Sequence, residues 1–202
     1  MMAAYNTREY IEQAVQSVLS QTFKDFELLI IDDGSTDGTG EFLRALATID
    51  SRIRLTSRPN AGIVLTRNEL LGMAQGEFVA VLDSDDISPP RRLELSVDYL
   101  RRHPQTLAVG GAMKVIDPDG ALLSEWQLRR SHQEVDSALM QSQGIAICHS
   151  AATIRRQELL EIGGYRDPLG FGQAEDLDMW LRLSERGPVV NLPDIMVQYR
   201  VR

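Results

Sequence analysis

Cysteine is almost missing from this sequence: Cys148 stands alone among 202 residues. No disulfide can close within the chain, and nothing in its thiol chemistry points outside the cell. Long apolar runs are missing too. Nowhere do about 18 apolar residues follow one another, which excludes a membrane-spanning helix. The opening MMAAYNTREY has neither a basic segment nor an apolar stretch, so it does not read as a secretory signal, and the expected compartment is the cytoplasm. Low-complexity tracts, charge blocks and convincing repeats are also lacking. Positive charge is short: 21 basic residues face 29 acidic ones, a net −8, which argues against a broad nucleic-acid footprint. Lysine is scarce, with Lys24 and Lys114 beside 19 arginines. A small anionic ligand stays open, because clustered arginines or a metal ion can reverse the sign at one site.

What is present is a core, with 43% hydrophobic and 25% charged residues, a composition that fits one globular domain. Strand-like and helix-like stretches alternate from the start. Asn6 to Gln21 reads as a helix, with Asn6 and Glu9 spaced as a capping box and Ile11, Ala14, Val15, Val18 and Leu19 on one face. Phe26 to Ile31 is a buried strand that stops at Asp32-Asp33-Gly34-Ser35. A helix from Thr39 to Ile49, a strand from Ile53 to Ser57 and a helix from Ile63 to Ala74 follow. Glu77 to Leu82 is another strand, ending at Asp83-Ser84-Asp85-Asp86, and Pro89-Pro90 opens a helix to about His103. This αβαβαβα order predicts a mixed, mainly parallel sheet flanked by helices.

The second half is expected to add a smaller antiparallel part. Asp117-Pro118-Asp119-Gly120 joins Leu107–Ile116 and Ala121–Trp126 as a hairpin. Ser131 to Gln141 reads as a helix, Ala146 to Ile154 as a strand, Arg156 to Ile162 as a short helix and Glu175 to Arg186 as a longer one. Val189–Leu192 and Ile195–Val201 close the chain as strands. No linker divides the two halves, so residues 1–202 read as one domain, with a first half to 104 and a second from 105.

The candidate chemistry sits where apolar strands end in acids. In open parallel sheets, ligands bind beyond the carboxyl ends of the strands. Crowded carboxylates there repel one another unless a cation or a donor-rich ligand joins them, and hard ions such as Mg²⁺ or Mn²⁺ suit such oxygens. Turn and capping chemistry alone accounts equally well for Asp32 and Asp37, less well for residues 83–86. Glu175-Asp176 opens a helix, which suits either the helix dipole or a general base served by the glycine-containing loop Gly170-Phe171-Gly172. His149 reads as a core histidine rather than one lining the same pocket, which is the alternative. Arg58 and Arg67 flank the Asn60 loop, where a diphosphate could be gripped. Arg91, Arg92, Arg101 and Arg102 read as a solvated helix face.

Other acid-bearing folds fit worse. A receiver-type phosphoacceptor module wants a lysine after a later strand, but Lys114 lies inside its own strand. A haloacid-dehalogenase-type phosphatase has Ile87 where its threonine belongs, and a calcium loop from Asp33 ends on Arg44 instead of glutamate.

The segments AAYNTREYIEQAVQSVLSQTFKDFELLIIDDGSTDGT, RPNAGIVLTRNELLGMAQGEFVAVLDSDD, GGYRD, the Glu175-Asp176 pair and the closing YRVR together resemble family 2 glycosyltransferases of the GT-A fold. The resemblance runs over nearly the whole chain. It implies a nucleotide-diphosphate sugar donor, usually a UDP-sugar, bound by the first half, and a saccharide or lipid-linked hydroxyl acceptor on the second. Ala3 and Tyr5 would lie beside the nucleotide, Asp33 would bond the base, and Asn60 and Arg67 would lie near the nucleotide and its phosphates. Asp83 and Asp85 look like the family's DxD motif, Asp83 near the ribose and Asp85 on Mg²⁺ or Mn²⁺, with Asp86 as a substitute ligand. Asp176 matches the general base, and Glu175 would contact the acceptor. Inversion at the anomeric carbon and work in cell-envelope polysaccharide or glycolipid assembly are further implications. Peripheral membrane association is compatible with them.

Three departures stand out. Family members begin with a full apolar strand, whereas only Met1-Met2 precede AAYN, so an N-terminally truncated chain with unpaired backbone on both neighbouring strands is expected. The family's terminal histidine, sometimes a metal ligand, is Arg202, which cannot bind a cation but could touch a diphosphate. The Gln-x-x-Arg-Trp motif of processive polymerases is replaced by DMWLRL, which favours transfer of a single sugar. The first two departures leave room for a catalytically degenerate sugar-nucleotide-binding or regulatory module.

Overall fold

The computed structural model describes residues 1–168, 170 and 174–202. In chain order its elements are β1 (Met2–Ala4), α1 (Ile11–Leu19), β2 (Leu28–Asp32), α2 (Thr39–Ala47), β3 (Ile53–Ser57), α3 (Ile63–Met73), β4 (Phe78–Ala80) and α4 (Arg92–Arg102). There follow β5 (Ala108–Ile116), β6 (Leu122–Trp126), α5 (His132–Met140), a 3₁₀ turn at His149–Ala151, β7 (Thr153–Arg155), α6 (Arg156–Glu161), α7 (Glu175–Ser184) and β8 (Val189–Arg200).

The fold is mixed α/β. All five residues of β2 are buried, as expected of a strand covered on both faces. It pairs in parallel with β1, Met2 opposite Ile30, and with β3, Leu28 opposite Ile53. In the second sheet β7 lies antiparallel to β4 and β5, while β5 pairs antiparallel with β6 and parallel with β8. Met1 joins the two sheets: its amine donates to the Ala80 carbonyl at 2.7 Å and its carbonyl accepts from the Leu82 amide at 3.2 Å. That is a parallel pattern, so the carboxyl ends of β1, β2 and the β4 segment share one edge. Tyr5, Asp33 and Asp83 stand there.

Several expected boundaries shift. The first helix begins at Ile11, because Asn6 adopts φ +50° and its side chain accepts from the Thr36 amide at 2.9 Å, away from any cap. Ala146–Ile154 is not a strand, since the buried 3₁₀ turn leaves only three extended residues in β7. The last two expected strands are one, interrupted by register shifts against β5 at Gly111–Met113. Arg92 is buried, not solvated: its guanidinium donates to the Val81 and Ala152 carbonyls at 2.5 and 3.0 Å, and the Ala152 carbonyl also accepts from the Val81 amide at 3.0 Å. A cavity of about 560 Å³ is lined by Leu28 and Leu29 of β2 and Phe78 and Val79 of β4.

Candidate active site

The Asp33 carboxylate ties β2 to the loop before α3. It pairs with Arg58 and accepts from the Ala61 and Gly62 amides at 2.9 and 3.0 Å. The next residue, Gly34, has φ +81°, and a Cβ there would lie 2.6 Å from the Asn60 amide nitrogen. Only glycine meets both demands. The loop and the ends of β1 and β2 form a cleft of about 190 Å³ lined by Ala3, Tyr5, Asp33, Asn60, Gly62 and Thr66. Four of the residues expected at the nucleotide, Ala3, Tyr5, Asp33 and Asn60, are thus brought together. The carboxylate of Asp33 keeps lone-pair capacity for a further donor. Asp37 works locally: it accepts from the Arg8 amide at 2.9 Å and from the Thr39 amide at 3.0 Å, so turn chemistry accounts for it.

Arg67 points elsewhere. It is 7% exposed, in the middle of α3, and donates to Glu175 Oε1 at 2.6 Å and to Asp83 Oδ1 at 3.2 Å. The guanidinium also lies 5.5 Å from the centre of the Tyr165 ring. One buried cation therefore joins the acid that ends the β4 segment to the acid that opens α7. Burial raises the Glu175 carboxyl above its usual range, with Arg67 pulling the other way. Asp176, next along α7, is half-buried, and its Oδ1 accepts from the Leu177 amide at 2.7 Å. In the loop before α7, Phe171 and Gly172 lie outside the described residues.

The three acids of the 83–86 turn diverge. Asp83 is held by Arg67, and its amide donates to Ser150 Oγ at 3.0 Å. Asp85 forms an ion pair with Arg202 Nε at 2.6 Å. Asp86 turns inward, 1% exposed, and accepts from the Arg200 amide at 2.8 Å. Burial and the charge of Asp83 push its carboxyl up to about 8. The donor set therefore differs from the expected one. A magnesium-type ion takes one or two carboxylates and completes its shell with water and substrate phosphate. Asp85 fits that role, while Asp86, buried and engaged with β8, does not. Among the described residues no group of three potential ligand side chains surrounds one point.

His149 is a core residue: buried, 3.2 Å from the Tyr165 hydroxyl through Nε2 and edge-on to Trp180. Residue-level reading did not mark Ser150 or Arg200 as partners of the acids. Only their spacing to acids about 70 to 110 residues away in sequence could have, and that is visible only in the fold.

The model of the family described as glycosyl transferase family 2 matches residues 1–163. The chain belongs to glycosyl transferase family 2. Similar relatives include EpsE of Bacillus subtilis (strain 168), which carries a glycosyltransferase name, 33% identical over 93% of this chain and 66% of its own. Chondroitin synthase of Escherichia coli is 34% identical over 95% of this chain and 27% of its own. The chain spans only part of the length of these relatives. Among solved structures, S. aureus TarS 1-349 in complex with UDP superposes with a TM-score of 0.79 at 22% identity, covering 100% of this chain and 59% of that one. Mannosyltransferase PcManGT from Pyrobaculum calidifontis, in complex with GDP-Man and Mn²⁺, gives 0.75 at 21%, covering 100% and 56%. The family 2 domain thus has the GT-A fold. No described helix is long and apolar enough to cross a membrane.

Proposed function

We propose that this family 2 domain moves a single sugar, with inversion and metal assistance, from a nucleotide-diphosphate sugar to a hydroxyl of a saccharide or lipid-linked acceptor. UDP is the proposed nucleotide. Residues 1–104 bind the donor and residues 105–202 the acceptor, on the cytoplasmic side during cell-envelope polysaccharide or glycolipid assembly. The observation that carries the reading is the Arg67 bridge, with Glu175 on one side and Asp83 on the other. It sets the acids proposed for the acceptor and for the donor within one guanidinium of each other. The UDP in the TarS complex and the GDP-Man with Mn²⁺ in the mannosyltransferase complex support a nucleotide-sugar donor. The chondroitin synthase relative supports a polysaccharide setting.

In this mechanism the cleft of Ala3, Tyr5, Asp33 and Asn60 holds the nucleoside. Asp83 lies toward the ribose and Asp85 toward the diphosphate. Asp176 accepts the proton of the acceptor hydroxyl as its oxygen bonds the anomeric carbon, and the bond from that carbon to the diphosphate oxygen breaks. Glu175 positions the acceptor while Arg67 holds Glu175. When bound, a divalent ion on Asp85 would neutralise charge on the departing diphosphate. General-base help is worth roughly 10²–10⁴-fold in rate.

The test compares Asp176→Asn with the parent. The variant should bind UDP with unchanged affinity by calorimetry in Mn²⁺ while transfer falls by about 10²-fold or more. Equal turnover removes Asp176 from the role, and UDP binding without transfer by the parent, over a broad donor and acceptor screen, favours a sugar-nucleotide-binding module.

A further inference from the structure

The end of β8 is fastened along the acidic turn. Ile87 and Gln198 exchange backbone hydrogen bonds at 3.0 and 2.8 Å. Arg200 is locked by several partners: its amide donates to Asp86, and its guanidinium donates to the Asp85, Asp117 and Pro118 carbonyls and to Gln13. Arg202 is different. Its side chain is 48% exposed, and its ion pair is with the Asp85 carboxylate, itself only 14% exposed. With Asp83 held by Arg67 and Asp86 turned inward, Asp85 is the one carboxylate of the turn left for a cation, and a guanidinium already sits on it.

We propose that Arg202 is the resident counter-cation of Asp85, so that a divalent ion and the Arg202 guanidinium are alternative occupants of one carboxylate. The ion gains Asp85 only when the guanidinium leaves it, and a bound diphosphate gives the guanidinium a second anion to meet. Cation and nucleotide then bind together, and the nucleotide-free protein discriminates against the ion alone. Geometry permits the exchange: Arg202 lies two residues past β8 with its side chain half-exposed, and can swing away without disturbing the bonds of Arg200. The role assigned to the diphosphate rests on the donor-site reading above. The competition for Asp85 does not.

The experiment titrates Mn²⁺ alone into nucleotide-free protein and reads the free ion by its paramagnetic resonance signal. Arg202→Ala should bind Mn²⁺ about fivefold more tightly than the parent, the scale of a part-exposed ion pair. Arg202→Lys should stay near the parent, and Arg202→Ala/Asp85→Asn should lose the gain. Arg202→Ala binding Mn²⁺ no better than the parent, or not at all, overturns the proposal, as does a gain that survives in the double variant. Calorimetry with UDP and Mn²⁺ on the same samples separates the two readings. Failure of every protein to bind UDP sinks the donor site, whereas equal Mn²⁺ affinities sink the counter-cation alone. Thermal melts of each variant check that the fold is retained.

Discussion

At the scale of single residues, Arg67 decides how the site is held. Its two acidic partners lie 16 and 108 residues away, and its ion pair with Glu175 is buried on both sides. Removing one member of such a pair leaves a charge without compensation, at about 3–5 kcal/mol. Arg67→Met should lower stability by about 3 kcal/mol in urea denaturation. Adding Glu175→Gln to that variant should recover part of the loss, because the buried side chain no longer carries a charge. His149 gives a second residue-level prediction. Burial, aided by Arg67 and Arg92, holds its imidazole well below its usual pKa of 6.5. Above that pH the folded and unfolded states are both neutral there. Below it only the unfolded chain takes the proton, so stability falls as pH drops, by up to about 1.4 kcal/mol per unit. His149→Phe should show a shallower decline between about pH 6.5 and 5, measured as midpoint shifts against the parent.

At the scale of elements, the legible parts were those with local causes. The five buried residues of β2, the strand at Ile53–Ser57 and the helices after them follow from short apolar runs and turn residues that lie close together in sequence. Ser131 caps α5 with Glu134 in a reciprocal box, again a short-range signal. The turn at His149–Ala151, the burial of Arg92 and the single long β8 were not legible, because each depends on which distant strand lies opposite. The site divides in the same way. Ala3, Tyr5, Asp33 and Asn60 line one cleft, whereas the Glu175 partner of Arg67, the Arg202 partner of Asp85 and the Arg200 partner of Asp86 come from the far end of the chain. Gly34 offers the element-level test. Gly34→Ala places a methyl against the Asn60 amide at a backbone angle that disfavours it. UDP affinity should fall by about tenfold or more while the circular dichroism spectrum stays unchanged, since the displaced element is the loop alone; equal affinity would separate the loop from nucleotide binding.

At the scale of the whole molecule, both core clusters draw residues from each half of the chain. One joins Leu29 and Leu70 to Trp180 and Val189, the other Ile11 and Ile30 to Met196 and Val197. Ligand binding at the edge where the sheets meet should therefore stabilise the fold as a unit. UDP with Mn²⁺ at about a hundred times its dissociation constant is expected to add about 2.7 kcal/mol. For a chain of this size that is a rise of roughly 5–10 °C in melting temperature. Scanning fluorimetry with and without EDTA reads it, and an Asp85→Asn protein should lose the EDTA-sensitive part.

The fastening of β8 onto the acidic turn has a consequence for biosynthesis. The Arg200 contacts reach back 114 residues to Asp86 and 115 to Asp85, and contacts so far apart in sequence form late. A nascent chain carries the 83–86 turn well before its clasp has been translated, so Asp85 and Asp86 gain these partners only after residues 198–202 have left the ribosome.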